Sequence, residues 1–199
     1  MKTNLYQKAI FLLSVAELEQ LPPDQGYEVV FAGRSNVGKS SVLNQVTRNK
    51  NLARVSKTPG RTQCINFFGL DAHKRLVDLP GYGYAKVPVE MRKKWENTIA
   101  DYLRSRTSLR GLVLVMDIRH PFTELDQQLL AFCQHYDLPV HIVLNKADKL
   151  TQRELTAAIK TADKALVNYA DTVSFQGFSA KTGTGLRELC QLLDKWLQL

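Results

Sequence analysis

The sequence predicts an α/β fold, a mostly parallel sheet with helices on both faces. Three observations predict it. Short, almost uninterrupted apolar runs at 28–32, 112–116 and 140–144 read as strands buried on both sides. Segments with apolar residues at helical spacing alternate with them, as in strand–helix–strand units. A glycine-bearing turn, Gly33-Arg34-Ser35-Asn36-Val37-Gly38-Lys39-Ser40, joins the first apolar run to the first helical segment.

The elements follow in order. Residues 1–26 form a mixed leader that ends in the turn-rich Leu21-Pro22-Pro23-Asp24-Gln25-Gly26. It is expected to pack on or near a single domain spanning 27–199. Strands are expected at 28–32, 64–70, 76–79, 112–116, 140–144 and 172–175, and helices at 40–47, 89–106, 124–135, 151–169 and 186–197. Residues 48–63 are polar and basic, contain Pro59-Gly60, and read as a loop. In open sheets of this kind ligands bind beyond the carboxyl ends of the strands. The loops there are where chemistry is sought.

Composition narrows the classes. Of 199 residues, 23% are charged and 44% hydrophobic, which excludes a disordered polyelectrolyte or a fibrous repeat. The apolar stretch Ala9–Ala16 is far shorter than the roughly 20 residues a membrane span needs, and it lacks a small-x-small cleavage pattern. No membrane span or signal peptide is expected. Three widely spaced cysteines (64, 133, 190) and no CxxC argue against a disulfide scaffold or zinc site and suit a reducing cytoplasm. The net charge of +8 is uneven: residues 48–110 carry 14 basic and 5 acidic side chains, whereas the flanking thirds are near neutral. Such a surface is either a solvated face or a site for nucleic-acid phosphates.

The loops carry motifs. Gly33–Ser40 is GxxxxGK[ST], the phosphate-binding loop. Its N–H groups wrap phosphates at a helix N-terminus, Lys39 is expected to reach the β- and γ-phosphates, and the Ser40 hydroxyl to ligate Mg²⁺. Asp78-Leu79-Pro80-Gly81 is a DxxG at a strand end, in which Asp78 holds the metal's water shell and the Gly81 N–H meets the γ-phosphate. Asn145-Lys146-Ala147-Asp148 is NKxD, and its carboxylate matches the two adjacent donors of guanine, which adenine lacks. Ser179-Ala180-Lys181 follows the next strand, with its backbone facing guanine O6 and Lys181 flanking the ring. In the basic loop Thr58 and Thr62 are both candidates for a threonine that closes on Mg²⁺, and spacing does not separate them.

This order of motifs is that of the translation-factor-related GTPases. GRSNVGKSS, TPGRTQ, DLPGYGYA and NKAD in a chain near 200 residues resemble the EngB family of the TrmE/Era/EngA-like superfamily, from about Tyr27 to the C-terminus. The resemblance implies a GTPase linked to large-ribosomal-subunit assembly and to normal division and septation. It implies a P-loop fold with a six-stranded mixed sheet whose edge strand, 64–70, runs antiparallel. It makes Thr62 the second Mg²⁺ ligand beside Ser40. It also places nucleotide contacts on Gly33, Arg34, Ser35, Asn36, Val37, Gly38, Lys39 and Ser40, on Gly60, Arg61, Thr62, Gln63 and Cys64, on Asp78, Leu79, Pro80 and Gly81, on Asn145, Lys146, Ala147 and Asp148, and on Phe178, Ser179 and Ala180.

Small signalling GTPases carry a water-orienting Gln just after DxxG. Here Tyr82 stands in that place, so slow intrinsic hydrolysis is expected, and no catalytic base is assigned. Gln63 is a weak substitute on its loop. Lys39 and Asn36 are the candidate transition-state stabilisers. Relatives with Asn at the place of Asn36 use K⁺ near the phosphates, so K⁺ joins Mg²⁺ as an expected cofactor by resemblance. Residues 48–110 would present Arg54, Lys57, Arg61, Lys86, Arg92, Lys93, Lys94, Arg104, Arg106 and Arg110 around the nucleotide-sensitive loops. That surface is expected to meet the large ribosomal subunit or its rRNA. Tyr82 and Tyr84 are placed to stack on bases, while the spacing of Trp95 with Met91 and Ile99 favours the core. A monomer is expected. Two other classes stay open: a division scaffold that binds GTP with little hydrolysis, and a small-molecule phosphotransferase.

Overall fold

The computed structural model describes residues 5–53, 64–83, 89–169 and 172–199, with only the backbone of 89–96. Seven strands form one sheet: β1 (Ile10–Val15), β2 (Tyr27–Gly33), β3 (Ile65–Gly69), β4 (Lys74–Asp78), β5 (Leu109–Asp117), β6 (Val140–Asn145) and β7 (Val173–Gly177). Their order is β1-β3-β4-β2-β5-β6-β7. Five helices flank it: α1 (Lys39–Thr47), α2 (Val89–Ser105), α3 (Glu124–His135), α4 (Gln152–Ala165) and α5 (Leu186–Leu197).

Strands β4, β2, β5, β6 and β7 pair in parallel, and the aliphatic runs of β2, β5 and β6 are buried within that sheet. Successive side chains alternate between two cores. One face of the sheet packs Val30, Leu112 and Ile142 with Tyr102 of α2, Leu130 of α3 and Ala162 of α4. The other packs Val29, Val113 and Val143 with Leu43 of α1 and Leu193 of α5. The helix expected over 151–169 ends at Ala165; Leu166 caps it, and a short 3₁₀ turn, Val167–Tyr169, follows.

The sheet corrects one expectation. It has seven strands, not six, and β3 is not its edge. The leader supplies β1, which pairs antiparallel with β3 while β3 pairs antiparallel with β4. As an edge strand, β1 leaves Ile10, Phe11 and Leu12 exposed. Its residues therefore lack the in–out alternation that marks a half-buried strand in sequence.

A buried histidine braces the β6–β7 side. His141 is 6% exposed, with Nδ1 2.8 Å from Ser174 Oγ and Nε2 2.9 Å from Gln176 Oε1. The Gln176 amide nitrogen donates to the Gly185 carbonyl at 2.7 Å, so its oxygen faces the ring and assigns the proton to Nε2. Burial, partly opposed by the Gln176 bond, lowers the His141 pKa. Below the ordinary value near 6.5 the unfolded chain therefore binds a proton that the native state does not, and stability falls as pH drops through that window. Urea denaturation at pH 7.5 and 5.5 should show the wild type losing more stability than His141→Gln. Equal losses would refute the assignment.

Candidate nucleotide site

The site lies where β2, β4, β6 and β7 end. β2 runs into the phosphate loop, which opens α1. Gly38 caps α1 with φ +96°, and a Cβ there would fall 2.4 Å from Asn145 Nδ2. Gly33 is constrained too: its Cβ would fall 2.4 Å from the Val115 carbonyl. Gly33 is therefore needed for backbone approach, and Gly38 for its left-handed φ and the Asn145 amide beside it. Asn36 also has positive φ, +65°, which asparagine tolerates better than most residues.

Lys39 leads α1 and is buried, with its ammonium paired to the Asp78 carboxylate at the end of β4. Ser40 follows, half-buried. Leu79 is core, and its N–H is paired with the Phe31 carbonyl at 2.9 Å. Pro80 is buried. Gly81 packs on Ser35: a Cβ there would sit 3.2 Å from the Ser35 nitrogen and Cα.

Asn145 and Lys146 tie the loops together. Asn145 Nδ2 donates to the Val37 carbonyl at 2.9 Å, and its Oδ1 accepts the Ala180 N–H at 3.1 Å. One side chain thus holds the phosphate loop and the Ser179-Ala180 loop. Lys146 Nζ donates to the Asn36 carbonyl at 2.8 Å and to Asp117 Oδ2 at 2.9 Å. Asp117, at the end of β5, also accepts two bonds from the Arg119 guanidinium, at 2.9 and 2.7 Å. The Arg119 bonds first, then Lys146, hold its carboxyl below the ordinary range despite partial burial.

Asp148 stands exposed at the mouth. Ser179 Oγ donates to its Oδ1 at 2.6 Å and, as the main cause, lowers its pKa. Ala147 donates its N–H to the Phe178 carbonyl at 2.9 Å. Phe178 is itself core, so this backbone bond ties the NKxD loop to a fixed point. Between these loops lies a cleft of about 250 Å³, lined by Gly38, Asn145, Lys146, Asp148, Ala180 and Lys181. It is open to solvent and polar along its rim.

The structure thus brings the phosphate loop, DxxG, NKxD and SAK to one end of the sheet. Gly60, Arg61, Thr62 and Gln63 lie outside the described residues, as do Thr58, Tyr84 and the side chain of Trp95. Cys64 enters β3 half-buried.

Sequence reasoning missed Asp117 and Asp126; only their positions at a strand end and a helix start hint at either. It misplaced two other residues. Tyr82 is not offered to bases: its ring packs against the core, and its hydroxyl donates to Asp126 Oδ1 at 2.6 Å. Arg106 is not on the basic surface: its guanidinium is buried against Glu28 at 2.7 Å. Among the described residues no group of three His, Cys, Asp or Glu is arranged for a metal, and no helix is long and apolar enough to cross a membrane.

Comparison with known proteins agrees with this geometry. Residues 28–146 match the family model described as 50S ribosome-binding GTPase, and residues 97–199 match that of the elongation factor Tu GTP binding domain. A probable GTP-binding protein EngB of Coxiella burnetii is 52% identical over 193 residues, which cover 97% of this chain and 94% of the relative. One from Pseudoalteromonas atlantica is 52% identical over 191 residues, 96% and 93% of the two chains. Among solved structures, a probable GTP-binding protein engB superposes with a TM-score of 0.68 at 24% identity, over 86% of this chain and 98% of that one. Era, solved with MgGDPNP and a segment of 16S ribosomal RNA, superposes with a TM-score of 0.66 at 21% identity, over 86% and 57%.

Proposed function

This chain belongs to the EngB family of GTP-binding proteins, and from that premise we propose that it is a slow, Mg²⁺-dependent GTPase switch for large-ribosomal-subunit assembly in the cytoplasm. Normal division and septation depend on that step. Residues 27–199 form the GTP-binding unit, and the leader is an extension of it.

The single observation that carries the nucleotide assignment is Asn145. It is hydrogen-bonded at once to the phosphate loop and to the Ala180 loop, which fixes the base cleft at a set distance from the phosphate cradle. Gly33–Ser40 take the phosphates, Asp148 takes the guanine donors, and Ala180 with Lys181 borders the ring. Gly60–Cys64 and Asp78–Gly81 close on the γ-phosphate side. The residues present suit Mg²⁺: the Ser40 hydroxyl and the Asp78 carboxylate are hard oxygen donors, and Mg²⁺ takes few protein ligands beside water and phosphate. Thr62 is the further ligand. When bound, the ion would supply charge neutralisation to the phosphates.

The chain's own contribution to hydrolysis is positioning. Lys39 must leave Asp78 to neutralise phosphate charge, and the loop N–H groups hold the leaving diphosphate. No side chain is assigned to orient the attacking water. The Tyr82 hydroxyl is turned away to Asp126 on α3, which supports slow intrinsic turnover. Asn36 is where K⁺ would be held, and the ion would supply added positive charge beside the phosphates: turnover in KCl should exceed that in NaCl about tenfold or more, in line with the effect of one added electrostatic stabiliser. Equal rates in the two salts would remove K⁺ from the mechanism.

Two observations support the ribosomal partner: the matched family's description, and the net basic 48–110 segment that flanks DxxG. The segment is less basic at its surface than its composition. Arg75 and Arg106 are bonded to Glu28, Lys74 to Asp71 and Arg104 to Asp101. The partner contact therefore falls to the remaining cations. The test is co-sedimentation with large ribosomal subunits in a non-hydrolysable GTP analogue or GDP across a salt series. Binding in the analogue alone, weakening steeply with salt, is the expected result. No binding in either state would favour the division-scaffold role.

A further inference from the structure

Tyr82 joins three parts of the molecule. Its carbonyl accepts the Ser35 N–H at 2.9 Å and the Ser35 hydroxyl at 3.1 Å, and its N–H donates to the Gly33 carbonyl at 3.3 Å. Residues 81–82 are thereby stitched across the start of the phosphate loop. The phenol reaches the other way, to Asp126 Oδ1 at 2.6 Å. Asp126 is 2% exposed, and its second oxygen accepts the Thr123 N–H at 2.9 Å and the Thr123 hydroxyl at 2.7 Å, closing the N-terminus of α3. The anchor is therefore rigid and fully bonded. Burial first, then the Asp126 charge, raises the Tyr82 pKa, so the phenol keeps its proton and stays a donor.

The groups held by this segment are those a third phosphate would claim. The Ser35 N–H is spent on Tyr82. Gly81, whose N–H is assigned to the γ-phosphate, lies flat against Ser35. A diphosphate seated at the start of α1 would draw Lys39 from Asp78 but leave the Tyr82–Ser35 and Gly81–Ser35 contacts alone, whereas a triphosphate would have to displace them.

We propose that the Tyr82–Asp126 bond is a latch that sets the preference between GDP and GTP, by holding the DxxG segment on the phosphate loop in the arrangement that admits only the diphosphate. Tyr82 is thus a specificity-determining residue, acting on the third phosphate through its backbone contacts with Ser35. A ligand shifts a two-state element only by its differential affinity for the two states. Every increment of latch strength is therefore paid by GTP and not by GDP. The proposal rests on guanine-nucleotide binding and is independent of the ribosomal role.

The experiment measures dissociation constants of the full-length chain for GDP and for a non-hydrolysable GTP analogue, with Mg²⁺, by isothermal titration. Tyr82→Phe deletes only the hydroxyl. It should lower the ratio of analogue Kd to GDP Kd about tenfold, the scale of a hydrogen bond to a charged group, with the GDP value within about twofold of wild type. Asp126→Asn keeps an acceptor for Thr123 but removes the charge, and should give a smaller shift in the same direction. It also serves as the readout should Tyr82→Phe not fold. An unchanged ratio, or equal weakening of both nucleotides, would overturn the latch. A wild-type chain that binds neither nucleotide would instead overturn the premise of guanine binding.

Discussion

Replacing Asp148 with Asn should lower GTP affinity on the order of 10³-fold and confer binding of xanthosine triphosphate. Guanine presents a ring N–H and an exocyclic amine side by side, and a carboxylate accepts from both. An asparagine amide offers one acceptor and one donor, so its NH₂ meets a guanine donor head-on. Xanthine presents a donor beside a carbonyl, which the amide matches. Mismatch at a polar recognition group costs far more than loss of an apolar contact, because donors on both sides go unpaired. The fold should tolerate the change. Asp148 is exposed, and its hydrogen bond from Ser179 Oγ to Oδ1 at 2.6 Å can be kept by the amide oxygen. A melting temperature within a degree or two of wild type, with the affinities for the two nucleotides exchanged, is the expected pair of results. Because the Ser179 bond lowers the Asp148 pKa, the carboxylate stays ionised below the ordinary range. Wild-type GTP affinity should therefore be insensitive to this group from neutral pH down into mild acid. Retained discrimination against xanthine nucleotides in Asp148→Asn would remove Asp148 from base recognition.

The base and phosphate loops were legible because each is a short motif of fixed spacing at the end of an aliphatic run. Local sequence carries both the element and its chemistry there. What was illegible depends on contacts distant in sequence between common residue types. Tyr82 and Asp126 are 44 residues apart, and nothing local distinguishes Asp126 from any other helix-cap acid. Lys146 meets the Asn36 carbonyl across 110 residues. β1 escaped for a different reason: its exposed Ile10, Phe11 and Leu12 are not ordered by a core-facing alternation, so the leader read as one irregular stretch. The charge count was legible and yet misleading. It gives the sum over 48–110 but not which cations are already matched, and Arg75 and Arg106 are both committed to Glu28.

That commitment makes Glu28 the position whose loss should cost the fold most. Glu28 begins an aliphatic strand and is 0% exposed, a place where a carboxylate survives only if every lone pair is used. Oε1 accepts from Arg75 Nη1 at 2.8 Å and Arg106 Nη2 at 2.7 Å, and Oε2 accepts from Arg106 Nε at 2.9 Å and the Tyr102 hydroxyl at 3.0 Å. Tyr102 and Arg106 lie at the C-terminal end of α2, the helix that follows DxxG, so this cluster pins α2 to the far end of the sheet from the nucleotide. Asp24 extends it, accepting from the backbone N–H groups of Thr107 and Ser108 at 2.8 Å each. Glu28→Gln leaves two guanidinium groups beside a neutral amide. Breaking a buried pair by removing one partner costs about 3–5 kcal/mol, a large share of the roughly 5–15 kcal/mol that holds a domain folded. Urea denaturation should show a loss of that size. Replacing Glu28, Arg75 and Arg106 together by Leu, Met and Met should recover most of it, because the apolar set leaves no charge stranded. If Glu28→Gln alone cost less than about 1 kcal/mol, water would have to reach the cluster, and α2 would not be anchored there.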